Sequence, residues 1–355
     1  MLKKSLVIAM AGAMVIAMAG CGSSSDSSAS SAKAESSAAS SAAESSAAES
    51  SAAESSAAAS SSAAETSEES FKIGFSDFSL SAEYQAKLRD KFVEAVADKF
   101  GDTAEVIVVD GESDSDTQNS GVDNLIAQGV DAIVLVPFDA EQQIPAVQAC
   151  VDAGIPCFET CLQTADDGLR TSFIGSDDTT SGEMAMEYLA EKLDYEGDIV
   201  YLHGPTGQDS EIKRHTGANN VVDAHDGLNV VAEKVCNWDR AEAMDAIDNL
   251  LNSGMNIDGI FCENDEMALG AYAAIQGTDY EGKILITGVD GIGDALTAIK
   301  DGSMLCTSFQ DALLQATTTA DAVYAYLHGE EVESYYEVPY QLITSDNVDD
   351  EYWTK

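Results

Sequence analysis

From Phe71 onward the chain alternates short apolar runs with amphipathic stretches, and that rhythm sets its elements. Phe71 to Phe75 reads as a strand, Tyr84 to Phe100 as a helix and Val106 to Val109 as the next strand. The series continues through a helical stretch at Val122 to Gln128, strand Ala132 to Val136, helix Ile144 to Ala153, and strands Cys157 to Glu159 and Phe173 to Gly175. After Gly182 a second series begins. It runs helix Glu183 to Leu193, strand Ile199 to Leu202, helix Arg214 to Ala224, strand Val230 to Val235 and helix Ala241 to Leu251. Strand Gly259 to Cys262, helix Glu266 to Ile275 and strand Ile284 to Gly288 follow. Apolar strands interleaved with helices predict parallel sheets with helices over them. About 285 residues exceed one comfortable core, so two similar α/β units in series are expected.

The residues before Phe71 have a different texture. Lys3 and Lys4 precede an apolar run from Leu6 to Met18, and Ala19-Gly20-Cys21 closes it. Charge, short apolar core and small residues in that order read as an export signal, too short to span a bilayer. The ending resembles the lipobox of bacterial lipoproteins, with Met18 where leucine is usual. That resemblance implies acylation of Cys21 and attachment to the outer face of the cell membrane. From Gly22 to about Ser70 nearly every residue is Ser, Ala or Glu, with a Ser-Ser-Ala-Ala-Glu unit ending at Glu44, Glu49 and Glu54. Such a segment lacks the bulky apolar groups that could form a core and reads as a solvated tether. The expected division is a signal at 1–20, a tether at 21–70, and the folded part after it.

Charge narrows the partners. With 63 acidic against 17 basic residues the chain carries a formal net charge of -46, which argues against nucleic acid. Of seven cysteines, Cys21 is assigned to the lipid; the other six show no metal spacing and read as buried thiols, any pairing among them left open. The acids from Asp110 to Asp116 lack the glycine and distal glutamate of a calcium loop, so a solvated loop is expected. Enzymatic devices do not assemble: the four histidines form no His-Glu-x-x-His helix, no Gly-x-Ser-x-Gly elbow is present, and Gly204 to Lys213 fails the phosphate-loop spacing.

Ligands of open α/β sheets sit beyond the carboxyl ends of the strands. Here those ends are Ser76-Asp77-Phe78, Pro137-Phe138-Asp139, Glu159-Thr160-Cys161, Gly204-Pro205-Thr206, Cys236-Asn237-Trp238-Asp239, Glu263-Asn264-Asp265 and Val289-Asp290-Gly291. Carboxylate, amide and aromatic groups dominate them, a composition that hydrogen-bonds hydroxyls and stacks a ring. Simpler accounts exist for several of these residues. Asn264 and Asp265 suit the cap of the following helix, Asp290-Gly291 suits a turn, and Trp238 suits core packing as well as it suits a pocket.

Five runs, in this order, give the chain a more specific likeness: Gly129-Val-Asp-Ala-Ile-Val-Leu-Val-Pro137, Ala153-Gly-Ile-Pro156, Ile174-Gly-Ser-Asp177, Asn264-Asp-Glu-Met-Ala-Leu-Gly-Ala271 and Gly288-Val-Asp-Gly291. From Phe71 to about Thr344 the chain resembles the periplasmic sugar-binding proteins of the ribose type. The repressors that share that fold carry an N-terminal DNA-binding module, for which this sequence has no counterpart. The resemblance implies the type I periplasmic binding protein fold: two doubly wound parallel-sheet lobes joined by a three-strand hinge. Residues 71–176 and 311–337 would form the first lobe, and 177–310 and 338–355 the second.

It also implies site residues. Asn264 and Asp290 match second-lobe positions that bind sugar hydroxyls, and Gln310 matches a hinge residue that reaches the ligand. Trp238 matches a pocket aromatic, Tyr84 falls near the first-lobe aromatic that stacks on the sugar, and Arg214 stands where such receptors place an arginine. One departure concerns the Asp-Arg pair with which ribose receptors grip the sugar: Cys161 and Leu162 occupy the aligned positions. Glu159 is the candidate replacement for the lost carboxylate, and Asp77 joins it. The implied function is an extracytoplasmic substrate-binding protein of an ABC-type importer, with no catalysis and no cofactor. It would close its lobes on a small polar solute, a sugar foremost, and pass it to a membrane permease. The same features also suit a receptor that reports to a chemotaxis protein or sensor kinase. With Glu159, Asp77 and Asp290 in the pocket, an amine-bearing solute fits too.

Overall fold

The computed structural model describes residues 70–354. The signal, Cys21 and almost the whole of the expected tether lie outside the described residues. The first series comprises β1 (Phe71–Asp77), α1 (Glu83–Phe100), β2 (Ala104–Asp110), α2 (Ser115–Ala127), β3 (Ala132–Val136), α3 (Ile144–Ala153), β4 (Cys157–Thr160) and β5 (Ser172–Gly175). The second comprises α4 (Asp178–Lys192), β6 (Gly197–His203), α5 (Asp209–Asp223), β7 (Leu228–Val235), α6 (Arg240–Asn252), β8 (Gly259–Cys262), α7 (Asp265–Ile275), β9 (Leu285–Asp290), α8 (Gly293–Asp301) and β10 (Cys306–Phe309). The chain then returns through α9 (Ala312–Leu327) and β11 (Tyr335–Glu337) and ends on β12 (Gln341–Thr344).

Two six-stranded sheets result, ordered β11-β5-β4-β3-β1-β2 and β12-β10-β9-β8-β6-β7. Each sheet is sandwiched between helices, and the pleat sorts its residues accordingly. Along β3, Ala132, Val134 and Val136 join one core with Phe75, Phe92 and residues of α9, while Ile133 and Leu135 join the other with Val122 and Val147. In the second sheet Val200 and Leu202 face the α6 and α7 side, whereas Ile199 and Tyr201 face α4 and α5. A strand covered on both faces has no need of polar alternation, which is why these runs are wholly apolar.

The chain passes between the sheets three times: from β5 to α4, from β10 to α9, and from β11 to β12. The sheets are parallel except at one edge, where β12 runs antiparallel to β10. That departs from the expected all-parallel lobes; β11 runs parallel to β5 and only three residues separate it from β12, so the chain runs straight on into the second sheet with no room for the helical crossover that would bring it back parallel to β10. Helix starts also differ from the pattern. Helices α2, α4 and α5 begin at Ser115, Asp178 and Asp209, up to seven residues before their first strongly apolar positions. Their first turns are polar, and in α2 and α4 the caps are aspartates: Asp114 accepts from the Thr117 amide at 2.8 Å and Asp177 from the Thr179 amide at 3.0 Å. Asp114 therefore does local work in the acidic run from Asp110 to Asp116, as a helix cap.

Helices α4 and α5 pack closely because each presents a glycine to the other. A Cβ on Gly182 would lie 2.1 Å from the Arg214 carbonyl oxygen, and one on Gly217 would lie 2.1 Å from that of Thr179. The six cysteines among the described residues are all buried and unpaired.

Candidate functional site

A cavity of about 340 Å³ opens between the lobes at the carboxyl ends of their strands. The first lobe contributes Phe78, Tyr84, Gln85, Cys161 and Leu162; the second contributes Gln208, Arg214, Trp238, Asn264 and Asp290; Gln310 enters from the second crossing. Several helices of both lobes begin at its rim, so backbone N–H groups surround the space. Among the described residues, five that line the cavity hold positive φ without being glycine: Ser113 at 53°, Cys161 at 64°, Asn237 at 51°, Trp238 at 62° and Asp290 at 120°. Such backbone costs energy and persists only where surrounding structure enforces it.

Arg214 is the most constrained group. Its Nε donates to the Asp178 carboxylate at 2.8 Å, Nη1 to the Glu263 carbonyl at 2.6 Å and Nη2 to the Tyr340 hydroxyl at 3.1 Å. Tyr340 in turn donates to Asp178 at 2.6 Å. Burial works against the charged guanidinium, but Tyr340, Asp178 and Asp290 more than offset it and raise its pKa. Asp290 stands 3.7 Å from Nη1. Burial raises its carboxyl to about 7 against the opposing pull of Arg214. Asp265, with no solvent exposure, supports that loop by accepting from the Gly291 amide at 2.7 Å and the Ile292 amide at 3.0 Å.

Aromatic surfaces are fixed as firmly. The Trp238 indole donates to Gln208 at 2.5 Å and lies against Gly204, where a Cβ would come within 2.0 Å of the ring. The Arg214 guanidinium is 5.7 Å from the same ring. Tyr84 is buried and donates to Gln315 at 3.1 Å. Asn264 caps α7 by accepting from the Met267 amide at 2.9 Å and also lines the cavity, so the cap and the lining role coexist in one side chain.

Six of the eight residues expected from the sequence thus meet around one space: Asn264, Asp290, Gln310, Trp238, Arg214 and Tyr84. Glu159 and Asp77 do not line it, which corrects the expectation for both. Glu159 has no exposure and accepts from Thr164 and, at 3.1 Å, from Arg170. It shares the Cys157 side of β4; the reversal at Cys161, with its positive φ, then brings a thiol to the cavity. Asp77 ends β1 fully buried and accepts from the Ser79 amide at 3.3 Å, so its neighbour Phe78 lines the cavity instead. Burial pushes the carboxyls of Asp77 and Glu159 up to about 7. Gln208, Gln85, Glu83 and Asp239 escaped the sequence reading. Asp239, four residues after β7 and the last of the Cys236-to-Asp239 strand end, carried the one usable signal.

Residues 73–331 match the family model for a periplasmic binding protein domain. The ribose import binding protein of Bacillus subtilis is 34% identical over 278 residues, 78% of this chain and 88% of that one. The chain belongs to the ribose-type periplasmic binding proteins. A xylitol-binding protein of Mycolicibacterium smegmatis is 36% identical over 69% of this chain and 70% of its own length. Among solved structures, the ABC transporter solute-binding protein of Bacillus halodurans with bound myo-inositol superposes with a TM-score of 0.77 at 35% identity, covering 81% of this chain and 99% of that one. One from Actinobacillus succinogenes with bound D-allose gives 0.73 at 29%, covering 78% and 98%. A periplasmic binding protein of this group is a sugar-binding component of ABC importers and not an enzyme, which accords with the missing catalytic devices.

Proposed function

We propose that this chain is the substrate-binding lipoprotein of an ABC-type importer and that it captures a monosaccharide or cyclic polyol by closing its lobes on it. The observation that carries the reading is the cavity: three aromatic side chains, Phe78, Tyr84 and Trp238, face a convergent set of Arg214, Asn264, Asp290 and Gln310. Aromatic faces cover the C–H face of a ring while the polar groups satisfy hydroxyls around its edge. Relatives that bind ribose, xylitol, myo-inositol and D-allose support a small polyhydroxylated solute. The lost Asp-Arg grip, replaced by Cys161 and Leu162, argues against ribose itself.

Ligand contacts from both lobes stabilise the closed form, which a membrane permease then recognises. Cys21 is the site of the lipid that tethers the protein to the outer face of the membrane. The eight bound residues expected from the sequence reduce to six as ligand contacts.

One observation favours a second class of solute. Glu83, Asp239, Glu266 and Asp290 line the cavity against Arg214 and Arg240, and Arg240 is itself held by Glu266 at 2.6 Å. An excess of carboxylate favours a ligand that carries an amine. A thermal-shift and calorimetric panel of pentoses, hexoses, inositols, linear polyols and amino sugars separates the two. A neutral sugar or polyol at 100 times its dissociation constant should add about 2.7 kcal/mol of stability. Trp238→Ala should then cost about 2 kcal/mol of binding, roughly 30-fold in affinity. Hits confined to amines would replace the solute class and keep the receptor, and a panel without hits would reject both.

A further inference from the structure

The second lobe carries a cluster of metal-ligating side chains outside the ligand cavity. His203 ends β6, His215 lies on α5 and Glu233 lies on β7. One nitrogen of each histidine and a carboxylate oxygen all fall within 4.8 Å of one another. The Glu233 oxygen is 3.1 Å from His203 Nε2 and 3.6 Å from His215 Nε2. Ligands of a tetrahedral zinc ion with bonds near 2.1 Å stand about 3.4 Å apart, so two of the three separations already suit the ion.

The surroundings orient these groups as a metal site requires. Glu263, with no exposure, lies 2.8 Å from His203 Nδ1 and accepts from the Gly204 amide at 2.9 Å through its other oxygen. A carboxylate on Nδ1 places the proton there and leaves the Nε2 lone pair facing Glu233, so two acceptors meet unless a proton or cation sits between them. The Asn219 amide donates to His215 Nε2 at 2.8 Å, which marks that nitrogen as a lone-pair site too. Tyr201, wholly buried, stands edge-on to both imidazoles, and its hydroxyl has no hydrogen-bond partner among the described residues. Two imidazoles with one carboxylate are the donor set of zinc and its neighbours, whereas calcium and magnesium take oxygen donors.

We propose that His203 Nε2, His215 Nε2 and the Glu233 carboxylate bind a zinc-class divalent cation, with Glu263 as the positioning residue for His203. The ion replaces the bridging proton between His203 and Glu233 and displaces the Asn219 hydrogen bond. It ties α5, β6 and β7 together within one lobe, so its binding does not depend on the solute or on lobe closure.

The test is zinc titration of the purified full-length protein, first stripped with chelator, followed by calorimetry and thermal melting. The expected result is one zinc per chain, a melting temperature several degrees higher under zinc excess, and no such rise with magnesium or calcium. His215→Ala and Glu233→Gln, both partly exposed positions outside the solute cavity, should each lose at least tenfold in zinc affinity while melting near the parent temperature without metal. Absence of a zinc-induced rise in the parent protein overturns the proposal. So does a rise of equal size in both variants, which would place the ion elsewhere on this acidic chain.

Discussion

Asp290 concentrates what the cavity does at the level of a single side chain. Its backbone is held at positive φ, its carboxylate faces Arg214, and burial raises its pKa to about 7. Because the folded value lies above the unfolded one near 4, its contribution to stability is fully present below about pH 4 and is lost as pH rises through about 7. A solute whose hydroxyls donate to Asp290 binds the ionised form. Affinity should therefore rise with pH through about 7, and binding at that pH should release a fraction of a proton. Calorimetry in two buffers of different ionisation enthalpy measures that release. Asp290→Asn should abolish it, and a dependence unchanged in the variant would assign the proton to another group. Glu159 teaches the complementary lesson. A carboxylate two residues from the cavity in sequence became instead the buried partner of Arg170.

Elements place these residues through backbone closeness more than through side-chain packing. Arg214 reaches the cavity because α5 lies against α4 at a distance that only glycine allows, with Gly182 opposite the Arg214 carbonyl and Gly217 opposite that of Thr179. Gly217→Ala should force the helices apart and cost about 1–3 kcal/mol of stability, read from denaturant melts. The same substitution should weaken solute binding, since α5 carries Arg214 away from Asp178. Unchanged stability and affinity would show that the contact yields without cost. Capping works at the same scale. Asp114, Asp177, Asp239 and Asp311 each accept from the first turn of a helix, which puts part of the large acidic charge where helix dipoles favour it.

For the whole molecule the deciding feature is the set of ties across the cleft. The Ala140 amide of the first lobe donates to the Gly207 carbonyl of the second at 3.1 Å, and Glu83 of the first lobe lines the cavity together with Arg240 and Glu266 of the second. The lobes thus touch at residues outside the three crossings that join them. Saturating solute should reduce the radius of gyration measured by X-ray scattering. Equal radii with and without solute would overturn closure as the mechanism of capture.

Much of this was legible in the residues alone. Largely apolar strands separated by amphipathic stretches determined a two-unit α/β architecture, because a strand covered on both faces has no solvent face to be polar on. The ordered runs around Pro137, Asp177, Asn264 and Asp290 placed the chain in its family and pointed to six of the residues that meet around the cavity. Tertiary structure alone decided the antiparallel edge strand β12 and the short strands β10 and β11, whose three or four residues carry little periodicity. It also decided which carboxylates reach the cavity. Asp77, Glu159 and Asp290 look alike at the ends of their strands, yet the turn that follows each one directs it into the lobe or the cleft. The meeting of His203, His215 and Glu233 was equally hidden, since residues up to thirty positions apart become neighbours only when α5 crosses β6 and β7.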